Sequence, residues 1–214
     1  MLPLSLDPSR LRIALIGNGA SALRRLAWLE QSGATALAIY AAAPSPALAA
    51  FAGERLIRHW PDMAALRGRQ LIFIADPPAA ERRALAQAAR RAGAILHVED
   101  EPELCDVHAP AVLHRGELTF AISTNGAAPG LAAEMKQFLA GIFGPEWSGR
   151  LDEIKTLRRG WRRAGATHRT IRRRTAARIA QKGWFRAISL EAADNERSGR
   201  AEFDHGDGGG QTCP

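Results

Sequence analysis

The stretch from Arg12 to Gly33, "RIALIGNGASALRRLAWLEQSG", constrains this chain more than any other. Arg12 to Ile16 reads as a short buried strand, and Gly17-Asn18-Gly19 follows without a gap. Ala20 to Gln31 then carries Ala22, Leu23, Leu26, Ala27 and Leu29 at helical spacing, and Gly33 supplies a helix stop. Strand, glycine turn and helix in this order form the opening of a dinucleotide-binding βαβ unit. In that reading Gly17 allows the tight turn, and Gly19 lets a pyrophosphate approach the backbone. Ala22 takes the third small position, where helix and strand pack closely. The first backbone N–H groups of the helix would hold the phosphates. A tight βα turn in some other α/β protein has the same pattern. The acid expected about 20 residues on, to hold the ribose hydroxyls, is missing. That region reads "LAIYAAAPSP", with Tyr40 and Ala41 near the strand end. The residues therefore leave NAD and NADP both open.

The alternation continues for a hundred residues. Strands are expected at Ala36 to Tyr40, Arg55 to His59, Gln70 to Ala75 and Ala94 to Val98. Helices are expected at Pro46 to Gly53 and Ala79 to Arg91. Repeats of this length imply a parallel, doubly wound sheet, whose ligands sit beyond the carboxyl ends of the strands. Gly17 to Gly19, Asp76 and Asp100 all fall at such ends. Two strands, Ala111 to His114 and Glu117 to Ser123, then precede a loop and a helix from Leu131 to Phe143. Trp147, Leu151, Ile154, Leu157 and Trp161 make one apolar helical stripe, and a second helix is expected over Thr170 to Lys182. The fold class is thus α/β: a Rossmann-like sheet, a small α+β region and a helical C-terminal region. The expected divisions are 1–108, 109–143 and 144–186, with a polar, glycine-rich tail over 187–214 expected to be disordered.

Composition narrows the classes. No run of 18 apolar residues exists, so no membrane span is expected. The opening "MLPLSLDPSR" lacks the features of a signal peptide, and Cys105 and Cys213 are too few for a disulfide framework. These features point to the cytoplasm, with Cys105 read as a small buried hydrophobe. The net charge is +7, and Arg150 to Arg186 holds thirteen Lys or Arg against Asp152 and Glu153 alone. Such a region suits an anionic partner or a merely solvated helical face.

Three segments, in order, carry a resemblance. They are "LPLSLD…LRIALIGNGASALRRLAWLEQSGA", "LIFIADPP" and "HVEDEPELCDVHAPAVLHRGELTFAISTNGAAPGLAAEMKQFL". Together they resemble the precorrin-2 dehydrogenase/sirohydrochlorin ferrochelatase family, the N-terminal module of siroheme synthase. The resemblance runs over about residues 3–185. It implies NAD-dependent oxidation of precorrin-2 to sirohydrochlorin and, in many members, insertion of ferrous iron as a second substrate to give siroheme. It further implies a homodimer in which the residues after the nucleotide domain are exchanged between subunits. Residues 111–143 and the Trp147 to Trp161 stripe are expected to hold it in part, because a stripe this apolar needs a partner surface.

Asp100, at the end of "HVED", matches the family's catalytic acid. A carboxylate there also suits the chemistry, since dehydrogenation releases a proton as well as a hydride. Expected cofactor contacts are Gly17, Asn18, Gly19, Ala20, Ser21, Ala22, Tyr40, Ala41, Ala75 and Asp76. Thr124, Asn125 and Gly126 are expected to meet the substrate, Thr124 keeping the hydroxyl of a family serine. No metal ligands are assigned, and His97 reads as a packed histidine within a strand. The chain departs from the family pattern at Asn18, His97, Glu99 and Asn125, and at Asp76-Pro77, where the family has Thr-Asp. The basic excess would bind the carboxylates of the tetrapyrrole. Two other readings stand beside this one: a non-catalytic NAD-binding sensor of the same fold, and a nucleic-acid-binding protein using the basic helices.

Overall fold

A computed structural model of the chain describes residues 2–185. The tail expected to be disordered, with Cys213 in it, lies outside the described residues. The described chain divides into two compact units. One is Met1–Ala109 with Asn125–Ala127, and the other is Pro110–Thr124 with the chain from Ala128 on.

In the first unit, β1 (Arg12–Ile16), β2 (Ala36–Tyr40), β3 (Leu56–Ile57), β4 (Leu71–Ile74) and β5 (Ile95–Val98) form one sheet in the order β3-β2-β1-β4-β5. Every pairing is parallel, and Ile16 lies level with Tyr40 on one side and Ile74 on the other. This is the doubly wound order, in which the chain reverses direction across the sheet between β1 and β4. The strands are near-continuous apolar runs because both faces are covered. On one face Ile13, Leu15, Ile39, Leu71 and Phe73 pack against Leu26 and Leu29 of α1 (Ala20–Gln31) and Leu48 of α2 (Pro46–Ala52). On the other, Ala14, Ile16, Ile72, Ile74 and Leu96 pack against Leu66 of α3 (Met63–Leu66) and Leu85, Ala86 and Ala89 of α4 (Ala79–Arg91). Alternate residues of one strand serve opposite faces, as the period of two requires.

The second unit opens with an antiparallel hairpin of β6 (Ala111–Arg115) and β7 (Leu118–Ile122). Helices α5 (Pro129–Ile142), α6 (Glu146–Arg163) and α7 (His168–Lys182) follow. Arg115 closes the end of α5 by donating from Nε to the Phe143 carbonyl at 2.5 Å and from Nη2 to that of Ala140 at 3.1 Å. A cation at this end also complements the helix dipole. Phe120, Phe143, Trp147 and Trp184 then pack in series, the first pair tilted and the next two edge to face, with ring centroids 4.5, 5.2 and 6.2 Å apart. Helix α6 packs on both α7 and the hairpin. Its apolar stripe is therefore engaged within the chain: Trp147 is buried, and Leu151, Ile154, Leu157 and Trp161 are half-buried.

Candidate active site

The turn after β1 and the end of β4 meet at the point where the sheet reverses its winding. Gly17 donates its N–H to the Tyr40 carbonyl at 3.0 Å, which pins the turn to the end of β2. A Cβ on Gly17 would stand 2.9 Å from the Cβ of Ala22 and 3.2 Å from that of Ala75. The small residues at 17, 22 and 75 are thus one packing unit, and they let α1 start against the strands. Gly19 is the N-cap of α1 and supplies no side-chain cap. Asn18 reaches the other way. Its Oδ1 accepts from the Ala43 N–H at 3.0 Å and its carbonyl from that of Ser45 at 2.7 Å, so it ties the turn to the loop after β2. Tyr40, Ala41 and Ala75 are buried and shape the floor of this corner. Ala20 is exposed at the first turn of the helix, and the Ser21 hydroxyl accepts from Arg24 at 2.8 Å.

The amides of this corner are taken. Asp76 Oδ1 accepts from the N–H groups of Asn18 at 2.7 Å and Gly19 at 2.9 Å. Its Oδ2 accepts from those of Ser21 at 3.1 Å and Ala22 at 3.3 Å. Sequence reasoning put Asp76 at the cofactor end of the sheet but did not show that its carboxylate lies on the helix amides themselves.

At the end of β5 the strand alternation stops at Val98. Glu99 is half-buried, and its Oε1 accepts from Arg25 Nε at 3.0 Å and from Nη2 of the same guanidinium. That guanidinium lies 5.0 Å from the centroid of the Trp28 ring and 5.1 Å from that of Phe73. Burial alone would raise the Glu99 pKa, but His97 and Arg25 outweigh it and hold the carboxyl at about 2. Ser21, Arg24, Arg25, Trp28 and Glu99 line a recess of about 220 Å³ beside the turn. His97 is buried, as expected. Its Nδ1 donates to the Val107 carbonyl at 3.1 Å, and its Nε2 stands 3.9 Å from Glu99. Cys105 packs at the edge of the core with Sγ 3.2 Å from both the N–H and the carbonyl of Val98, and burial raises its thiol pKa. The Arg25–Glu99 pair, 74 residues apart in sequence, had no local signal.

Asp100 is exposed in the turn beyond β5, with φ of 60°. This left-handed backbone is uncommon outside glycine, though Asp and Asn tolerate it best. Glu101, the next residue, pairs with Arg82 at 2.9 Å. No hydrogen bond or ion pair engages the Asp100 carboxylate among the described residues. The loop Asn125–Ala127 belongs to this same unit. A Cβ on Gly126 would lie 3.6 Å from His108 and 4.0 Å from Pro102, so the loop sits beside the segment that follows Asp100. Asn125 and Gly126 both adopt positive φ, 54° and 81°. The Thr124 hydroxyl accepts from the Ala128 N–H at 3.1 Å and so works as a turn cap at the start of α5. Among the described residues no cluster of three or more His, Cys, Asp or Glu is placed to hold a metal ion.

Sheet order, glycine turn and helix start define a Rossmann dinucleotide-binding domain. The chain belongs to the NAD(P)-binding family described as "Putative NAD(P)-binding", whose model matches residues 4–111. Its relatives make the class more particular. It is 31% identical over 204 residues to a siroheme synthase of Methylococcus capsulatus, covering 94% of this chain and 41% of that protein. It is 27% identical over 163 residues to the precorrin-2 dehydrogenase of Bacillus subtilis, covering 74% of this chain and 99% of that one. The chain thus spans well under half the length of the siroheme synthase and nearly all of the dehydrogenase. Among solved structures it shares its fold with SirC, a precorrin-2 dehydrogenase, at a TM-score of 0.66 and 18% identity, covering 89% of this chain and all of that one.

Proposed function

We propose that this chain oxidises precorrin-2 to sirohydrochlorin with NAD as the hydride acceptor. The observation that carries the reading is the near-complete overlap with a precorrin-2 dehydrogenase. It is joined by an unpaired, left-handed Asp100 at a strand end of a Rossmann sheet. When bound at the glycine turn, the dinucleotide would supply a nicotinamide ring that accepts two electrons and one proton together, as hydride. The protein's part is to position the ring and to accept the second hydrogen as a proton. The Asp100 carboxylate is the base that accepts it. Iron insertion releases pyrrole protons, and the same carboxylate suits that step, with ferrous iron as a substrate. Tyr40, Ala41, Ala75 and the 17–22 turn frame the cofactor, and Thr124, Asn125 and Gly126 are the substrate contacts in this reading.

The remaining parts of the reading concern partners and place. Arg158, Arg159, Arg162, Arg163, Arg169, Arg172 and Arg173 are exposed on α6 and α7. They form no ion pair with any other described residue, and their field favours a polycarboxylate substrate. Helix α5 leaves Leu131, Met135 and Phe138 exposed on one face, which supports a homodimer built on that face. No helix among the described residues is long and apolar enough to cross a membrane, and we place the enzyme in the cytoplasm.

The test is anaerobic absorbance of precorrin-2 with the protein and either NAD or NADP, with and without ferrous iron. The reading expects sirohydrochlorin with NAD, and siroheme on adding iron if both activities reside here. Precorrin-2 left unchanged with both cofactors would overturn it.

A further inference from the structure

The four amides at the start of α1 are the groups a Rossmann turn offers to a pyrophosphate. Here a carboxylate of the same chain already holds them. Asp76 meets Asn18 and Gly19 through one oxygen and Ser21 and Ala22 through the other, all within 3.3 Å. An ionised carboxylate has about four acceptor positions and no donor, so the four amides saturate it. The fit is close in space as well. A Cβ on Gly17 would come within 2.6 Å of Oδ1, and one on Gly19 within 2.7 Å of Oδ2. The two glycines that make room for a phosphate therefore make room for this side chain. Pro77 and Pro78 follow directly. A residue before proline is held out of the helical region, so rotation of the side chain is the simple way to free the turn.

We propose that Asp76 sets the dinucleotide affinity of this chain, because its carboxylate occupies the pyrophosphate cradle as an internal anion that the dinucleotide must displace. The proposal rests on the NAD(P)-binding reading of the turn. Two anions cannot share four amides at a helix N-terminus, where the dipole favours one negative group and a second is repelled. A tethered competitor also acts at high effective concentration. The apparent dissociation constant of the dinucleotide is then raised by the reciprocal of the fraction of molecules whose cradle is open. A cap that only stabilised the helix would need no such complementarity to the glycines.

The test compares the full-length parent with Asp76→Ala and Asp76→Asn. Both retain a short side chain, and Asn still accepts hydrogen bonds from the helix start. Circular dichroism checks that each is folded. Calorimetry with NAD and NADP reads dinucleotide affinity, and thermal unfolding with inorganic pyrophosphate reads access to the cradle by an anion alone. We expect both variants to bind the dinucleotide roughly ten- to a hundredfold more tightly, the scale of one or two lost charge-assisted contacts. We expect pyrophosphate to raise the melting temperature of the variants and to leave that of the parent unchanged. Measurable dinucleotide binding whose affinity is equal or lower in both folded variants would overturn the proposal. So would a pyrophosphate response as large in the parent as in the variants, or no response in any of them. Pyrophosphate stabilising only the variants, with no dinucleotide bound by any protein, would instead overturn the dinucleotide reading and keep the exchange of one anion for another.

Discussion

Two adjacent acids at the end of β5 have opposite fates, and each makes its own prediction. Glu99 is held at a pKa of about 2 against an ordinary 4.5, by His97 and Arg25 acting against burial. A depressed carboxylate stabilises the fold at pH values above its ordinary pKa, and that contribution is lost as pH falls through the folded value. Glu99→Gln is therefore expected to unfold more readily than the parent at neutral pH, leaving Arg25 half-buried without its partner. The difference should shrink below about pH 4.5 and be nearly gone by about pH 2, as followed by denaturant unfolding across that range. A gap that stays constant down to the lowest pH would show that the ion pair is not its source. In the proposed function Asp100 carries the chemistry instead. Asp100→Asn keeps the left-handed turn, which Asn tolerates, whereas alanine there adds about 1–2 kcal/mol of backbone strain. The Asn variant should keep the parent's melting temperature and dinucleotide affinity. Its dehydrogenation should fall by roughly two to four orders of magnitude, the scale of a lost positioned base. Near-parent turnover would move the base elsewhere. Asp100 was legible as a strand-end acid and through the family resemblance. Its positive φ was not, because it follows from where β5 stops.

At the scale of elements, the sequence was most readable where one periodicity gave way to another at a glycine. β1, α1, β2 and α4 have the bounds expected of them, since buried runs and helical spacing change abruptly at those turns. Shorter pieces were harder to read. The strand expected at Arg55 to His59 is only Leu56–Ile57, an edge strand paired with β2 over two residues. α3 is a single turn, Met63–Leu66, capped by Asp62 on the Ala65 amide at 2.8 Å, and one turn has no periodicity to detect. α5 starts at Pro129 and α7 at His168, each two residues before the expected start. Proline favours a first helical turn, and Thr167 caps α7, whereas apolar spacing registers neither. The α6 stripe was expected to need a second subunit, but α7 and the hairpin cover it in part within the chain. The bare apolar face lies on α5 instead. Phe138 is 65% exposed between Met135 and the helix end, and Leu131 is 56% exposed. Phe138→Glu should therefore convert a dimer into a folded monomer, as read by light scattering. A parent that is monomeric, or a variant that remains dimeric, would contradict an interface on this face.

For the whole molecule, the proposed reaction draws on a Rossmann unit with a cradle held by Asp76, on an acid turn at Asp100 and on a second unit rich in arginines that pair with no acid among the described residues. The long-range parts of this arrangement were the least legible. Asp76 lies 58 residues from Asn18, and Glu99 lies 74 from Arg25. Topology brings each pair to one end of the sheet, but only side-chain direction makes them touch. In the proposed reaction this assembly passes a hydride from precorrin-2 to a nicotinamide and a proton to Asp100. The most direct measurement mixes anaerobic precorrin-2, NAD and the full-length protein, and follows reduced nicotinamide and sirohydrochlorin by absorbance in the same cell. The two products are expected to rise together in equal amounts, at a rate proportional to protein. Sirohydrochlorin formed without reduced nicotinamide, or neither product at any protein concentration, would contradict that reaction.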